Sequence, residues 1–528
     1  MTRNAPHPLK THTLALLAAG AMATAPLVAQ EATFDIFEFA VEGATLLPAL
    51  AVEQAVYPHM GERKRLDDVE KAREALEKAY HAVGYLTVLV TIPQQKVDGG
   101  LVRLQVTEAP VDRLRVVGAQ HYSPQAIKNG VPELAEGRVP NFQDMQAEMT
   151  ELNRQGDRRV SPVLRPGRTP GTVEVDLKVQ DQKPYHGNVD VNDRYSQDTS
   201  RLRASTNFRW DNLWGRQHSV GVTLQTAPSE PRESKVLSLN YTIPLKGGDM
   251  LALYGVKSDS DVSAVGDLNV IGRGTMLGLR YIKPLRGREG FFHTATWGVD
   301  YKDFNQSVNL IGSGGFNTPI TYMPFVAGWD GSWQTDTHTT RVGVSTQFHV
   351  QQGLVGSEQE FADKRFKGRP SYIYFKGTLQ HERSLPEGHS LHLRAQWQLA
   401  GQPLVSNEQM AIGGADTVRG YLESAAAGER GLALSAEWRS PQLSRLWPGT
   451  PDSLTELRAL AFVDWGAVKV IEPITAQDRF SLASLGLGLR LRMVQGTQAT
   501  VQWAYPLKAV GNTTKGDHRL HFNLTHEW

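Results

Sequence analysis

The last two thirds of this 528-residue chain alternate between apolar and polar residues with a period of two. In "LHLRAQWQL", which starts at Leu391, the apolar residues occupy one face of a strand and His, Arg and Gln occupy the other. "SLGLGLRLRM", which starts at Ser484, repeats this pattern. Helical periodicity is absent from about residue 185 onward. This region therefore folds into antiparallel strands, as a transmembrane barrel or as a water-soluble sandwich, because both architectures alternate.

Aromatic residues near the strand ends favour the barrel. Tyr241, Tyr281 and Tyr505 each lie beside a proline that ends a strand, as expected for an interfacial girdle. The final strand, "LHFNLTHEW", has an outer-membrane-type apolar face that ends in Trp528, although His526 also falls on that face. In hydrocarbon a sheet must close on itself, and residues 185–528 suffice for about 16 strands. We therefore predict an all-β antiparallel transmembrane barrel.

The first residues have the order of an export signal: basic, then apolar, then small residues. Residues 1–29 are predicted to be cleaved; a single membrane anchor is the alternative, but the apolar run is shorter than the ~20 residues of a spanning helix. The chain contains no cysteine, which excludes disulfides and thiolate metal sites. Its net charge of +1 provides no global field for nucleic acid.

Two similar units follow the signal, at residues 34–109 and 110–184. Each starts with a strand and turns at a glycine, Gly43 or Gly118, into a helix. In the first unit a longer helix ends at Gly84, and two strands, "LTVLVTI" and "GLVRLQVTE", complete it. This α+β unit, repeated in tandem after an export signal, resembles the polypeptide-transport-associated (POTRA) domain. The predicted fold is thus two periplasmic α+β POTRA repeats followed by the barrel.

A long glycine-containing loop, with the stretch "AIGGADTVRGYLES" at residues 411–424, interrupts the strands. Its glycines allow it to turn back into a lumen, where the guanidinium of Arg419 needs a carboxylate partner. Asp464 in "LRALAFVDWGAV" lies on the lumenal face of the next strand but one, because the opposite face is apolar. We predict a bidentate pair between Arg419 and Asp464. The alternative is two solvated charges in an ordinary loop and strand.

The segments "GGADTVRGY" and "FVDWG", together with the two repeats, resemble the two-partner secretion transporters (TpsB), and the resemblance runs from Phe34 to Trp528. It implies that the arginine of the loop tip meets the aspartate of the "FxD" strand. The candidate site is therefore the following set: Val418, Arg419, Gly420 and Tyr421 in the loop; Phe462 and Asp464 on the wall; and Glu437 as a further carboxylate.

The resemblance also implies a function. It implies passive export of an unfolded partner exoprotein (TpsA-type, haemolysin- or adhesin-like) from the periplasm to the cell surface, through an outer-membrane barrel embedded in lipid. The repeats would hold the exoprotein in extended form, and no cofactor, metal or catalytic residue is expected. Two alternatives stay open: a barrel insertase that assembles other membrane proteins, and an outer-membrane barrel hydrolase. No hydrolase or phosphate-loop motif occurs in the sequence.

Overall fold

A computed structural model of the chain describes residues 33–153, 156–197, 199–260, 263–265, 268–270, 273–308, 316–351, 355–444, 451, 453–494 and 496–528. The expected export signal, residues 1–29, lies outside these ranges. Within them, every helix is too short or too polar to traverse a bilayer.

The first repeat is a small α+β unit. Its elements are β1 (Phe34–Ile36), β2 (Glu38–Glu42), α1 (Ala49–Val56), β3 (Gly61–Lys64), α2 (Leu66–Ala82), β4 (Leu89–Thr91) and β5 (Leu101–Thr107). β5 is the central strand of a sheet in which β2 pairs with it in parallel and β4 antiparallel. Val69, Leu76 and Tyr80 of α2 are buried in the core. The strand predicted from "LTVLVTI" is shorter than expected, because residues 85–88 form a hydrogen-bonded turn after α2.

The second repeat has the same organisation. Its elements are β6 (Val111–Val117), α3 (Pro124–Asn129), α4 (Phe142–Leu152), β7 (Arg158–Pro166) and β8 (Val173–Asp181). The strand order in its sheet is β6-β8-β7. Val175, Leu177 and Val179 on one face of β8 are buried.

Each repeat contains a glycine turn of the same kind, and a carboxylate binds each turn. Gly43 has φ +82°, and a Cβ there would lie 2.4 Å from the carbonyl oxygen of Val106. Gly118 has φ +93°, and a Cβ there would lie 2.6 Å from the carbonyl oxygen of Val179. A carboxylate at the end of the last strand accepts the backbone N–H groups that follow each glycine: Glu108 from Thr45 and Leu46, and Asp181 from Gln120, His121 and Tyr122.

These hydrogen bonds stabilise the charged form of each carboxylate. Burial alone would raise the pKa of Glu108 and of Asp181, but the bonds from the turn outweigh burial, and both pKa values lie below their usual range. The glycine and the carboxylate are therefore the local features that define the repeat.

The described residues from 185 onward form an antiparallel barrel whose connections contain short hairpins and an α-helix. These elements are β9 (Tyr185–Asn192), β10 (Arg203–Leu213), β11 (His218–Thr226), β12 (Ser234–Pro244), β13 (Met250–Ser260), β14 (Ser263–Val265), β15 (Leu268–Val270), β16 (Gly274–Pro284), β17 (Phe291–Val308), β18 (Phe316–Tyr322), β19 (Phe325–Gln334), β20 (His338–His349), α5 (Glu358–Lys364), β21 (Tyr372–Ser384), β22 (Ser390–Ala400), β23 (Met410–Ile412), β24 (Ala426–Gly428), β25 (Arg430–Arg439), β26 (Leu454–Lys469), β27 (Arg479–Met493), β28 (Thr497–Pro506) and β29 (Arg519–Glu527).

The barrel is closed and has 16 strands, as predicted. The β14–β15 and β23–β24 hairpins form separate two-stranded sheets that are not part of the ring. β18 and β19 pair with the two halves of β17 and together fill one strand position. The ring closes where β29 pairs with β9, from Asn523↔Asn192 to Glu527↔Asn188. Closure satisfies the strand edges that hydrocarbon would otherwise leave unpaired.

The two faces of the wall follow the predicted alternation. Val463 and Leu487 are exposed on the outside, whereas Asp464 on the lumenal side is fully buried. We call the end where β9 begins the proximal rim and the opposite end the distal rim. β12 and β16 run opposite to β9 and end at the proximal rim, and β28 ends at the distal rim. Tyr241 and Tyr281 therefore lie near the proximal rim and Tyr505 near the distal rim, so the aromatic residues divide between two rims.

Candidate functional site

The loop between β22 and β25, residues 401–429, turns inward and occupies the lumen. Its base contains the β23–β24 hairpin, and its tip reaches lumenal side chains of β25, β26 and β29. Gly413 and Gly420 have φ of +108° and +90°, which residues with a Cβ rarely adopt. Glycine thus permits the sharp reversals at which the chain enters and leaves the tip.

Arg419 at the tip is 1% exposed and pairs with Asp464 of β26. Its Nε donates to Asp464 Oδ2 at 2.7 Å, and its Nη2 donates to Oδ1 at 2.8 Å. The backbone N–H of Arg419 also donates to Oδ2, at 3.1 Å. The structure thus brings together the two residues in the bidentate geometry that the sequence predicted.

Three further side chains complete the surroundings of Arg419. Glu437 accepts from Nη1 at 2.6 Å, and Ser435 Oγ accepts from Nη2 at 3.1 Å. Glu437 also accepts from Arg439 Nε at 2.8 Å, so its charge is shared between two cations. The guanidinium carbon lies 3.4 Å from the centroid of the Phe462 ring, a cation–π contact. Every donor of a buried guanidinium needs such a partner, because an unpaired buried charge is costly.

Val418 and Tyr421 hold the tip on either side of Arg419, and both are fully buried. The Tyr421 hydroxyl donates to the carbonyl oxygen of Lys508 at 2.8 Å and accepts from the N–H of Ala483 at 3.4 Å. Val418 packs against Gly466 of β26, where a Cβ would lie 3.0 Å from Val418 Cγ2. A glycine on the wall therefore makes room for the tip.

His521 and Asp193 also hold the loop tip, and neither was predicted from the sequence. The N–H of Gly420 donates to His521 Nε2 at 2.9 Å, and His521 Nδ1 lies 3.1 Å from Asp193 Oδ2. His521 therefore carries its proton on Nδ1 and accepts through Nε2. The available signal was strand parity, since His521 lies on the polar face of the last strand; its contact with the loop tip has no local signature.

Two buried glutamates fix the base of the same loop, and neither was predicted. Glu408 is 1% exposed and accepts from Lys302 Nζ and from the Tyr322 hydroxyl, each at 2.6 Å, and from the Tyr374 hydroxyl. Glu429 is fully buried and accepts from Arg365 Nη2 at 3.0 Å and from the N–H of Ile471 at 2.7 Å. The loop is thus fastened at its tip and at both ends.

Within the described residues, one group brings three potential metal ligands together, away from the loop tip. Single oxygen or nitrogen atoms of Asp157, His186 and Asp211 all lie within 4.8 Å of one another. Arg209 Nε already donates to Asp211 at 2.7 Å, so that this carboxylate has a cationic partner.

The residues around Arg419 form an ion-pair network of complementary charges, an arrangement that suits mechanical fastening of the loop.

Comparisons with known proteins agree on one family. The sequence profile described as haemolysin secretion/activation protein ShlB/FhaC/HecB matches residues 171–271 and 323–491, and the ShlB-type POTRA domain profile matches residues 34–109. The heme/hemopexin transporter protein HuxB of Haemophilus influenzae is 21% identical over 472 residues, covering 85% of this chain and 79% of HuxB. The outer membrane transporter CdiB of Dickeya dadantii is 21% identical over 448 residues, covering 80% of this chain and 75% of CdiB.

Solved structures show the same fold. CdiB from Escherichia coli superposes with a TM-score of 0.67 at 17% identity, covering 97% of this chain and 93% of that chain. BamA from Haemophilus ducreyi lacking POTRA domains 1-3 superposes with a TM-score of 0.55 at 14% identity, covering 94% and 100%. The segments matched by the haemolysin profile make up just over half of this chain. The chain therefore belongs to the haemolysin secretion/activation protein family of ShlB, FhaC and HecB.

Proposed function

We propose that this protein exports a partner exoprotein through its barrel, from the periplasm to the cell surface. The barrel lies in the outer membrane and the two N-terminal repeats lie in the periplasm, as for the related outer membrane transporter CdiB. Because β9 follows the repeats in the chain, the proximal rim is the periplasmic one. The observation that carries the proposal is a closed barrel whose lumen holds a loop fixed by buried ion pairs.

The Arg419 network acts as a reversible fastener of the loop tip. A 16-strand barrel has a lumen wide enough for an aqueous channel, so it needs an internal seal when no exoprotein passes. The loop supplies that seal, and its tip must shift before an extended polypeptide can pass. Ion pairs suit this role because water and other charges replace them once the tip moves.

The repeats present the exoprotein to the barrel. β2 and β4 are the edge strands of the first sheet, and β6 and β7 are those of the second. An extended polypeptide can add to such an edge through backbone hydrogen bonds. Leu86 and Leu89, beside and within β4, are about half exposed and offer apolar contacts at this edge. Folding of the exoprotein outside the cell then biases movement outward without a nucleotide or a cofactor.

Export of the exoprotein from a cell that produces both proteins tests the proposal. Arg419→Ala and Asp464→Ala should each change the amount of exoprotein at the surface, whereas Asp416→Asn, in an exposed pair with Arg194, should not. Surface levels of the barrel protein itself are measured in parallel. Normal export by both alanine variants would contradict a fastening role for the network.

A second candidate function is assembly of other outer-membrane proteins, which the fold likeness to BamA supports. The two candidate functions differ in how many surface proteins depend on this barrel. Depletion of an exporter removes one exoprotein from the surface, whereas depletion of an insertase lowers many barrel proteins together. We propose no catalytic activity, and the relatives in this family are transporters.

A further inference from the structure

A charged cavity lies in the lumen beside the loop tip. Its volume is about 350 Å³, and Arg419 and Glu437 of the tip network form one side of it. The opposite sides carry Arg341, Arg394 and Arg490. Arg341 lies near the start of β20 and Arg490 near the end of β27, both towards the proximal rim, whereas Arg394 lies near the middle of β22.

The charges of this cavity do not balance. Three carboxylates line it. Glu437 pairs with Arg439 at 2.8 Å, and the Asp193 carboxylate lies 3.1 Å from His521. The Glu382 carboxylate lies 3.7 Å from His392. Within the described part of the chain, the guanidinium groups of Arg341, Arg394 and Arg490 have no hydrogen bond, ion pair or ring contact. Three unpaired cations therefore face one water-accessible space.

The arginines are spaced to contact more than one carboxylate. Arg341 is paired across the sheet with Gln380, which is paired with Arg394, so the two arginines are two strands apart. That separation is about 10 Å at the backbone, and each side chain extends several ångströms into the lumen. Arg490 lies three strand positions further round the wall than Arg394. Alternate residues of an extended polypeptide are about 7 Å apart, so successive acidic side chains can reach different arginines.

We propose that this cavity binds the carboxylates of an acidic, extended stretch of the exported polypeptide inside the lumen, beside the loop tip. The inference rests on the proposed function, and it assigns a chemistry to the client. Guanidinium groups bind carboxylates bidentately, and exposed pairs of this kind are weak and screened by salt. Each contact can therefore be exchanged for the next as the chain advances. An acidic stretch would also compete for Arg419 with Glu437 and Asp464, which couples entry of the client to release of the tip.

Peptide binding to the full chain in detergent micelles tests the inference without any export. The probe is a fluorescent peptide of alternating glutamate and serine, compared with one of alternating lysine and serine, and affinity is followed by fluorescence anisotropy. The variant is Arg341→Gln/Arg394→Gln/Arg490→Gln. The matched control is Arg216→Gln/Arg286→Gln/Arg288→Gln, which removes the same charge from turns that do not line the cavity. Heat-modifiable gel mobility reports folding of each variant, and Arg341→Gln/Arg394→Gln is used if the triple variant does not fold.

We expect the glutamate peptide to bind and the lysine peptide not to bind. The cavity variant should lose at least about tenfold in affinity, and the control should stay within about twofold. Equal binding of both peptides, unchanged affinity in the cavity variant, or an equal loss in the control would overturn the inference. A chain that binds the acidic peptide but exports no exoprotein would overturn the proposed function and leave this binding site standing.

Discussion

Asp464→Asn should release the loop tip far more than Glu437→Gln. Asp464 is fully buried and accepts three hydrogen bonds from Arg419, whereas Glu437 accepts one and is also bound by Arg439. Breaking a buried ion pair costs about 3–5 kcal/mol, because it leaves a charge without a partner. The asparagine keeps one carbonyl oxygen, so we expect about 3 kcal/mol for Asp464→Asn and about 1 kcal/mol for Glu437→Gln.

A single introduced thiol measures that release. The chain contains no cysteine, and Val418 beside Arg419 is fully buried, so Val418→Cys provides one thiol that reacts only when the tip leaves its site. The rate of labelling by a soluble maleimide is then proportional to the released fraction. In this background, the expected energies correspond to an increase of about 150-fold for Asp464→Asn and about fivefold for Glu437→Gln.

Asp416→Asn is the matched control, because Asp416 belongs to the same loop and its pair with Arg194 is exposed. It should raise the labelling rate by less than about fivefold, as expected for an exposed pair. Two results would refute the reasoning that burial and the number of hydrogen bonds decide how the tip is held. One is an equal increase in labelling rate for Asp464→Asn and Glu437→Gln. The other is an increase for Asp416→Asn as large as that for Asp464→Asn.

Three other predictions concern parts of the chain outside the tip. Gly84→Ala should destabilise the repeats by about 2 kcal/mol in urea unfolding followed by the helical circular dichroism signal, because Gly84 has φ +102° and a Cβ there would lie 2.4 Å from Asn141 Oδ1. Gly99 also has a positive φ but has open space around it, so Gly99→Ala should cost about 1 kcal/mol. Equal costs for the two variants would contradict the argument from the Asn141 contact. The pKa of Glu108 is lowered from its usual 4.5, so the stability that this carboxylate gives the folded repeat is complete above about pH 4.5 and is lost as pH falls through the folded pKa. Glu108→Gln should flatten this dependence of unfolding free energy on pH. An unchanged loss of stability at acid pH would exclude Glu108 as its source. Glu429→Gln should speed tryptic cleavage after Arg365 and Lys367 by about tenfold, since Arg365 loses its buried carboxylate, whereas Glu472→Gln, which breaks only the exposed pair with Lys367, should have a much smaller effect.

The features predicted from the sequence are those with a local signature. Strand alternation recurs every few residues, so the barrel and the lumenal position of Asp464 follow from strand parity and from the need to close a sheet in hydrocarbon. The number of strands follows from the length of residues 185–528. The pairing of Arg419 also follows, because a lumenal cation needs a carboxylate and strand parity places one on the wall. The strand at residues 86–92 was overestimated, since a period-two pattern does not reveal that residues 85–88 turn back on α2.

The contacts that were missed join residues far apart in the chain. His521 and Asp193 are separated by 328 residues and meet only because the barrel closes. Glu408 and Glu429 receive Lys302 and Arg365 only because the loop enters the lumen, and nothing near a buried glutamate in the sequence identifies its distant cation. Such partners depend on register around the ring, which pattern within a single strand does not specify.

The acceptor for Gly420 is built at the seam of the barrel. His521 belongs to the last strand, and the carboxylate that orients its ring, Asp193, comes directly after the first strand. During assembly this acceptor is therefore complete only when the two ends of the sheet have met. A barrel whose first and last strands have not yet paired therefore lacks the complete acceptor for the Gly420 N–H at the loop tip.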